Sequence, residues 1–257
     1  MEDKALTAEK FTALSRGWSE HKYGDPAAFM KRRAALVRHW GTALRPGDRL
    51  LELGCGDGAL SCLLAREGFE VTGVDISRGM IEEAQRRADR EAVEVSFELA
   101  DSDHFEVAEP YDGVVSFMGA FFTYLENPAR FIETIQPFVR KKIILDWNFH
   151  SPCTFVEAAE MMRGAGLQRI EWRPWFVPYT TVAPPAARLR GWVEGRPNLS
   201  LLLLNLKRWH YTIYLKGENG EASVPARAGA GREQFHGNRL PGSFLQRSLV
   251  KLGQVTR

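Results

Sequence analysis

An acid followed by three alternating glycines, Glu52-x-Gly54-x-Gly56-x-Gly58, interrupts an apolar run that starts at Arg49, and Cys55 and Asp57 stand inside the turn. A second apolar run, Phe69-Glu-Val-Thr-Gly-Val-Asp75, ends on a lone carboxylate. Glycines let a backbone approach a ligand closely, and a carboxylate about twenty residues on accepts hydrogen bonds from a ribose diol. That chemistry suits a nucleoside-type cofactor, and two cofactors fit the spacing. Gly54-x-Gly56-x-x-Ala59 with Asp75 satisfies the looser dinucleotide fingerprint. Against it, Glu52 sits poorly beside two phosphates and is compatible with a zwitterionic amino acid carrying a sulfonium.

Positioning these residues requires strands that end where the glycines and Asp75 begin. The spacing predicts strands over 49–53, 70–74, 93–99, 114–117 and 142–145, with two further aromatic strands at 167–176 and 209–216. Helices are expected from near Asp57 to Gly68, from Ser77 to Asp89 with a cap and first-turn acids, over 128–139 and over 154–165. Residues 7–43 read as one or two helices, with Thr7 and Asp25-Pro26 as starts. Strands alternating with helices imply an α/β class: a doubly wound, mostly parallel, seven-stranded sheet with helices on both faces.

The order of these motifs resembles the class I S-adenosylmethionine-dependent methyltransferases, over residues 45–150. The resemblance implies a Rossmann-like methyltransferase fold with S-adenosyl-L-methionine as cofactor. It places Glu52, Gly54, Cys55, Gly56 and Gly58 at the methionine part and Asp75 at the ribose, with Ile76 and Met80 beside the adenine. It sets Asp101 and Ser102 at the adenine amine, and Phe117 where methyl and acceptor meet. Ser116-Phe117-Met118-Gly119 lacks the Asp/Asn-Pro-Pro-aromatic pattern of nucleobase amine methylation. Strand four also ends without the acid a catechol-type metal site needs, so no metal is expected.

A net charge of +2 over 257 residues, with 44% apolar and 26% charged residues, fits one domain-sized core and offers no basic stripe for nucleic acid. Three cysteines (Cys55, Cys62, Cys153) form neither a disulfide framework nor a metal knuckle, and the expected compartment is a reduced cytoplasm. The leucine cluster 199–206 is too short to span a bilayer, so no stable membrane insertion is expected. The expected division is an N-terminal helical cap (1–45), a methyltransferase domain (46–217) and a largely disordered basic tail (218–257).

Candidates for a proton acceptor are His150 after the fifth strand and Tyr23, with His21 and Tyr124 behind them. The resemblance implies that Trp18–Tyr23 folds over the cofactor as a lid, with Tyr23 or Arg33 on the methionine carboxylate. The segment 178–208 reads as an aromatic and leucine-rich helical insertion, which the family resemblance places near the acceptor pocket. The sequence thus points to methyl transfer to an O, N or C nucleophile of a hydrophobic or aromatic small molecule, by a monomer or homodimer. A macromolecular substrate, or a non-catalytic cofactor-binding regulator, is the alternative.

Overall fold

The runs 50–53, 111–117 and 142–147 are buried without alternation at the centre of the molecule, as expected of strands covered on both faces. The computed structural model describes residues 4–117, 120–148, 151–176, 211–220 and 238–239. Strand β1 (Arg49–Leu53) pairs in parallel with both β2 (Glu70–Asp75) and β4 (Tyr111–Ser116). β3 (Ser96–Leu99) pairs in parallel with β2, and β5 (Val139–Trp147) with β4. β7 (Tyr211–Glu218) runs antiparallel between β5 and β6 (Gln168–Phe176). The order is β3-β2-β1-β4-β5-β7-β6, the expected seven-stranded sheet, and a two-residue β8 (Asn238–Arg239) joins its edge on β6.

Helices cover both faces. On one, α6 (Ala120–Tyr124), α7 (Pro128–Ile135) and α8 (Phe155–Gly164) pack Phe122, Ile132 and Met162 in one cluster with Leu51, Val114 and Ile143. On the other, α3 (Pro26–His39) and α4 (Ala59–Arg66) bury Phe29, Leu36, Val37, Leu60 and Leu64 in a cluster with Leu50, Val115 and Ile144. Adjacent residues of one strand thus serve opposite cores, which is why the runs are continuously apolar. α3 is tied down at its end: buried Lys142 donates to the Trp40 carbonyl at 2.8 Å, and the Trp40 indole donates to Glu171 at 2.9 Å.

Several boundaries differ from expectation. The N-terminal segment makes three helices, α1 (Lys4–Leu14), α2 (Trp18–Lys22) and α3. Thr7 lies inside α1 and is no cap, whereas Asp25 caps α3 by accepting from the Ala28 amide at 3.0 Å. α5 (Arg78–Glu91) takes its cap from Ser77, but Glu82 and Glu83 fall beyond its first turn, which holds no acid. β3 starts later than Val93 because Ala92, left-handed at φ 50°, turns the chain out of α5 and the Val93 amide still bonds to Ala88. β5 is longer than expected because β7 pairs with it from Lys142 to Trp147. Of the tail, only its start to Gly220 and the β8 pair are described; the 178–208 insertion lies outside the described residues.

Candidate functional site

β1 stops at Leu53 because the next residues take a path closed to most side chains: Gly54, Gly56 and Gly58 have φ of 69°, 56° and 72°. The Gly54 and Cys55 amides both donate to the Val74 carbonyl, at 2.8 and 3.0 Å, which draws the turn onto the end of β2. There the Asp75 carboxylate accepts from the Gly56 amide and from the Ser77 amide, each at 2.9 Å. One side chain therefore fixes the glycine turn and the start of α5 together. Burial raises the Asp75 pKa, and the two amides pull it back only in part.

This turn forms one end of a cavity of about 460 Å³, within the range of ligand pockets. Glu52, Gly54, Cys55 and Gly56 line it, and Asp75, Ile76 and Met80 continue the wall toward Asp101 and Ser102. Phe117 and Tyr23 line it as well. Gly58 does not. The β-carbon of any other residue there would come within 2.8 Å of the Ala84 β-carbon and 2.9 Å of the Phe97 ring, so its glycine serves the packing of α4 against α5 and β3. His150 lies outside the described residues, as do Met118 and Gly119.

Electrostatics separate the acids. Glu52 is 5% exposed and accepts the Ser61 hydroxyl at 2.5 Å; burial pushes its carboxyl up to about 7. Asp57, 2% exposed, accepts the Ser19 amide and the Arg87 guanidinium, each at 2.9 Å, as well as the Ser19 hydroxyl. Asp101 is bound by Lys4 at 2.6 Å and His104 at 3.1 Å. Although burial opposes it, the Lys4 hydrogen bond helps hold the Asp101 carboxyl below its ordinary value. The Cys55 thiol is pushed well up by burial and the nearby carboxylates, which leaves it protonated and unreactive.

The first two helices close over the turn. Phe11 of α1 stands edge-on to Trp18 at 5.6 Å and to Tyr124 at 6.0 Å, and all three line the cavity. α1 thus covers the turn together with the 18–23 segment. Arg33 of α3 is 3% exposed, with its guanidinium 4.3 Å from the Phe29 ring and 5.0 Å from that of Phe117, and its Nε donates to the Tyr214 hydroxyl at 3.0 Å. Among the described residues one terminal nitrogen of Arg33 has no partner, and neither do the hydroxyls of Thr7, Ser116 and Thr123, all on cavity-lining residues. Buried polar groups are normally satisfied, so four such groups around one cavity mark where a polar ligand belongs.

Sequence reading missed Lys4, Thr7, Ser19, Lys22, Asp57 and Thr123. Asp57 stood within the glycine turn and Lys22 within the expected lid, but nothing local distinguished them from solvated side chains.

A family model described as a methyltransferase domain matches residues 50–142. The chain carries a class I S-adenosylmethionine-dependent methyltransferase domain. Over 117 residues it is 45% identical to a ubiquinone biosynthesis O-methyltransferase of Azorhizobium caulinodans, covering 38% of this chain and 46% of that protein. The chain spans about a third to a half of the length of the curated relatives it matches. Among solved structures, magnesium protoporphyrin IX methyltransferase of Synechocystis PCC 6803, with S-adenosylmethionine bound, superposes with a TM-score of 0.60 at 19% identity, covering 86% of this chain and 98% of that one. The [4+2]-cyclase SpnF gives 0.58 at 16% identity over 83% and 94%. At these identities the structures establish the fold and nothing finer.

The residues present fit the domain's cofactor. Carboxylates at Glu52 and Asp75 suit an ammonium and a ribose diol, Ile76 and Met80 offer apolar contact to a base, and the open nitrogen of Arg33 suits a carboxylate. Among the described residues, no helix is long and apolar enough to cross a membrane.

Proposed function

We propose that the protein transfers a methyl group from S-adenosylmethionine to an oxygen nucleophile of a hydrophobic or aromatic small molecule. One observation carries this reading. A single cavity has the glycine turn and its carboxylates at one end and Phe11, Trp18, Phe117, Phe121 and Tyr124 in its walls. The second set offers flat apolar surface to an acceptor beside the cofactor. Oxygen is preferred because the relatives matched over residues of this domain include ubiquinone biosynthesis and malonyl-[acyl-carrier protein] O-methyltransferases.

The bound cofactor supplies a methyl group already activated by its sulfonium. The task left to the chain is alignment and exclusion of water. Glu52, Asp75 and Arg33 hold the donor, the lid helices cover it, and the aromatic wall sets the acceptor against it. Within the described residues Tyr23, 4% exposed and lining the cavity, is the candidate to receive a phenolic proton, a role open only to its phenolate form; His150 keeps that role only as a sequence expectation.

The test is release of S-adenosylhomocysteine from S-adenosylmethionine in the presence of a panel of phenols and other aromatic alcohols. Turnover with a phenol supports the reading; cofactor binding without turnover across the panel would overturn it. Asp75→Ala should raise the S-adenosylhomocysteine dissociation constant about tenfold or more, through loss of the ribose contact and of the brace on Gly56.

A further inference from the structure

Arg33 takes its orientation from a residue that does not line the cavity. Its Nε donates to the Tyr214 hydroxyl at 3.0 Å, across 181 positions of the chain, and Tyr214 stands on β7. Arg33 lines the cavity and Tyr214 does not. The guanidinium rests 4.3 Å from the Phe29 ring and 5.0 Å from that of Phe117, and among the described residues one terminal nitrogen has no partner. Phe117 follows Ser116, the strand partner of Leu53, so this guanidinium lies beside the junction of β4 with the glycine turn. Its charge is felt at Glu52: burial raises the Glu52 carboxyl, and Arg33 is among the groups opposing the rise.

Tyr214 is built to hold a direction. It is 0% exposed, and its ring is 4.9 Å from that of Phe117 and 5.3 Å from that of Trp175. It pairs in register with Asp146 of β5 and with Arg173 of β6. Burial raises its phenol well above the ordinary value, which leaves the hydroxyl neutral. A guanidinium carries its donors in one rigid plane, so securing Nε beside two rings restricts where the terminal nitrogens point. A neutral hydroxyl does this without an ion pair that a ligand's carboxylate would have to displace. The rotamer entropy of the long side chain is then lost on folding and not again on binding. Burial opposes the charge of Arg33, and Tyr214, Tyr23 and Asp146 outweigh it. A ligand therefore meets an oriented donor here, not a surplus of charge.

We propose that Tyr214 is a positioning residue for the methyl donor: its hydroxyl turns Arg33 so that the open nitrogen meets the donor's carboxylate. This deepens the reading of the site given above and rests on it. Tyr214 lies behind the cavity wall and acts through Arg33, so its effect should appear only with ligands that carry the carboxylate.

The experiment is calorimetric titration of the full chain with S-adenosylhomocysteine and with S-adenosyl-3-thiopropylamine, the same molecule without its carboxylate. The wild type is expected to prefer S-adenosylhomocysteine about tenfold or more. Tyr214→Phe keeps the ring against Phe117 and Trp175 and removes only the hydroxyl. It should cut the preference about three- to tenfold, with the amine bound within about twofold of wild type. Arg33→Met removes the group that the hydroxyl holds, so adding Tyr214→Phe to it should change the preference by less than about twofold. A wild type without the preference, a Tyr214→Phe variant that keeps it, or an equal loss of both ligands would each overturn the proposal. So would an undiminished effect of Tyr214→Phe in the Arg33→Met background. Failure of the wild-type protein to bind S-adenosylhomocysteine would instead overturn the methyl-transfer reading beneath it.

Discussion

The ammonium of Lys4 lies 2.6 Å from Oδ2 of Asp101, so the first turn of α1 is ion-paired across the cavity to the acid that follows β3. Lys4 also meets Asp103, and Glu126 at 3.7 Å. The far end of α1 is held by the Thr12 hydroxyl, 2.9 Å from that of Ser77, with Gly79 giving the close approach. The helix is therefore a strap with one polar latch and one packed hinge. Partly exposed pairs contribute about 0.2–1 kcal/mol each and weaken with salt. Lys4→Met should accordingly speed S-adenosylhomocysteine dissociation about two- to fivefold, read by stopped-flow fluorescence of the cavity tryptophan Trp18. Added salt should speed dissociation from the wild type and leave the variant unmoved. A variant that keeps the wild-type salt response would show that the latch does not gate release.

Gly58 gives a prediction that separates packing from binding. An alanine there must adopt φ 72° and crowd both Ala84 and Phe97. Left-handed backbone costs a non-glycine residue about 1–2 kcal/mol, and overpacking typically about 1–3 kcal/mol more. Gly58→Ala should lose about 2–4 kcal/mol of stability in urea denaturation while its folded fraction binds S-adenosylhomocysteine within a fewfold of wild type. A large loss of affinity with unchanged stability would return Gly58 to the binding surface.

The buried pair of Asp57 and Arg87 joins the glycine turn to α5, and Ser19 brings α2 into the same pair. Removing one partner of a buried ion pair costs about 3–5 kcal/mol because the other charge is stranded. Glu20 and Glu91 also reach Arg87, at 2.7 and 3.5 Å, and soften that loss. Asp57→Ala should therefore destabilise by about 2–4 kcal/mol on the same scale of buried-pair costs. Adding Arg87→Met should recover part of the loss. Additive effects of the two substitutions in a double-mutant cycle would show that the pair is not coupled.

How much of this was legible beforehand follows from the range of each interaction. β1 was read to the residue, the caps at Asp25 and Ser77 were read in place, and the helix after Thr154 was expected to begin one residue early, because each is set by neighbours within a few positions. The glycine turn and Asp75 were legible for the same reason. Lys4 with Asp101, Ser19 with Asp57 and Arg33 with Tyr214 are separated by 97, 38 and 181 residues. No local period records such partners, and they decide which charges in the cavity are spent and which are open. Three glycines in one turn look alike in sequence, and only the packing of Ala84 and Phe97 sets Gly58 apart from the two that line the cavity.

Glu52 supplies a pH dependence whose sign can be worked out. Burial lifts its carboxyl to about 7, above the ordinary carboxyl value of 4.5. Between those values the native protein holds a proton that the unfolded chain has released. The associated stability is fully present below about 4.5 and is lost as pH rises through about 7. Ligand binding runs the other way. A carboxylate that receives the ammonium of the bound cofactor must be charged, so S-adenosylhomocysteine binding should expel the proton and tighten as pH rises through about 7. With a pKa near 7 the charged fraction at pH 6 is about a tenth, which predicts an affinity about tenfold weaker at pH 6 than at pH 8. Glu52→Gln should bind more weakly at pH 8 and lose most of this dependence. Calorimetry in buffers of different ionisation enthalpy should register proton release by the wild type near pH 6 and none by the variant. Equal wild-type affinity at the two pH values would mean that Glu52 is already charged in the free protein, or that the ammonium is held elsewhere.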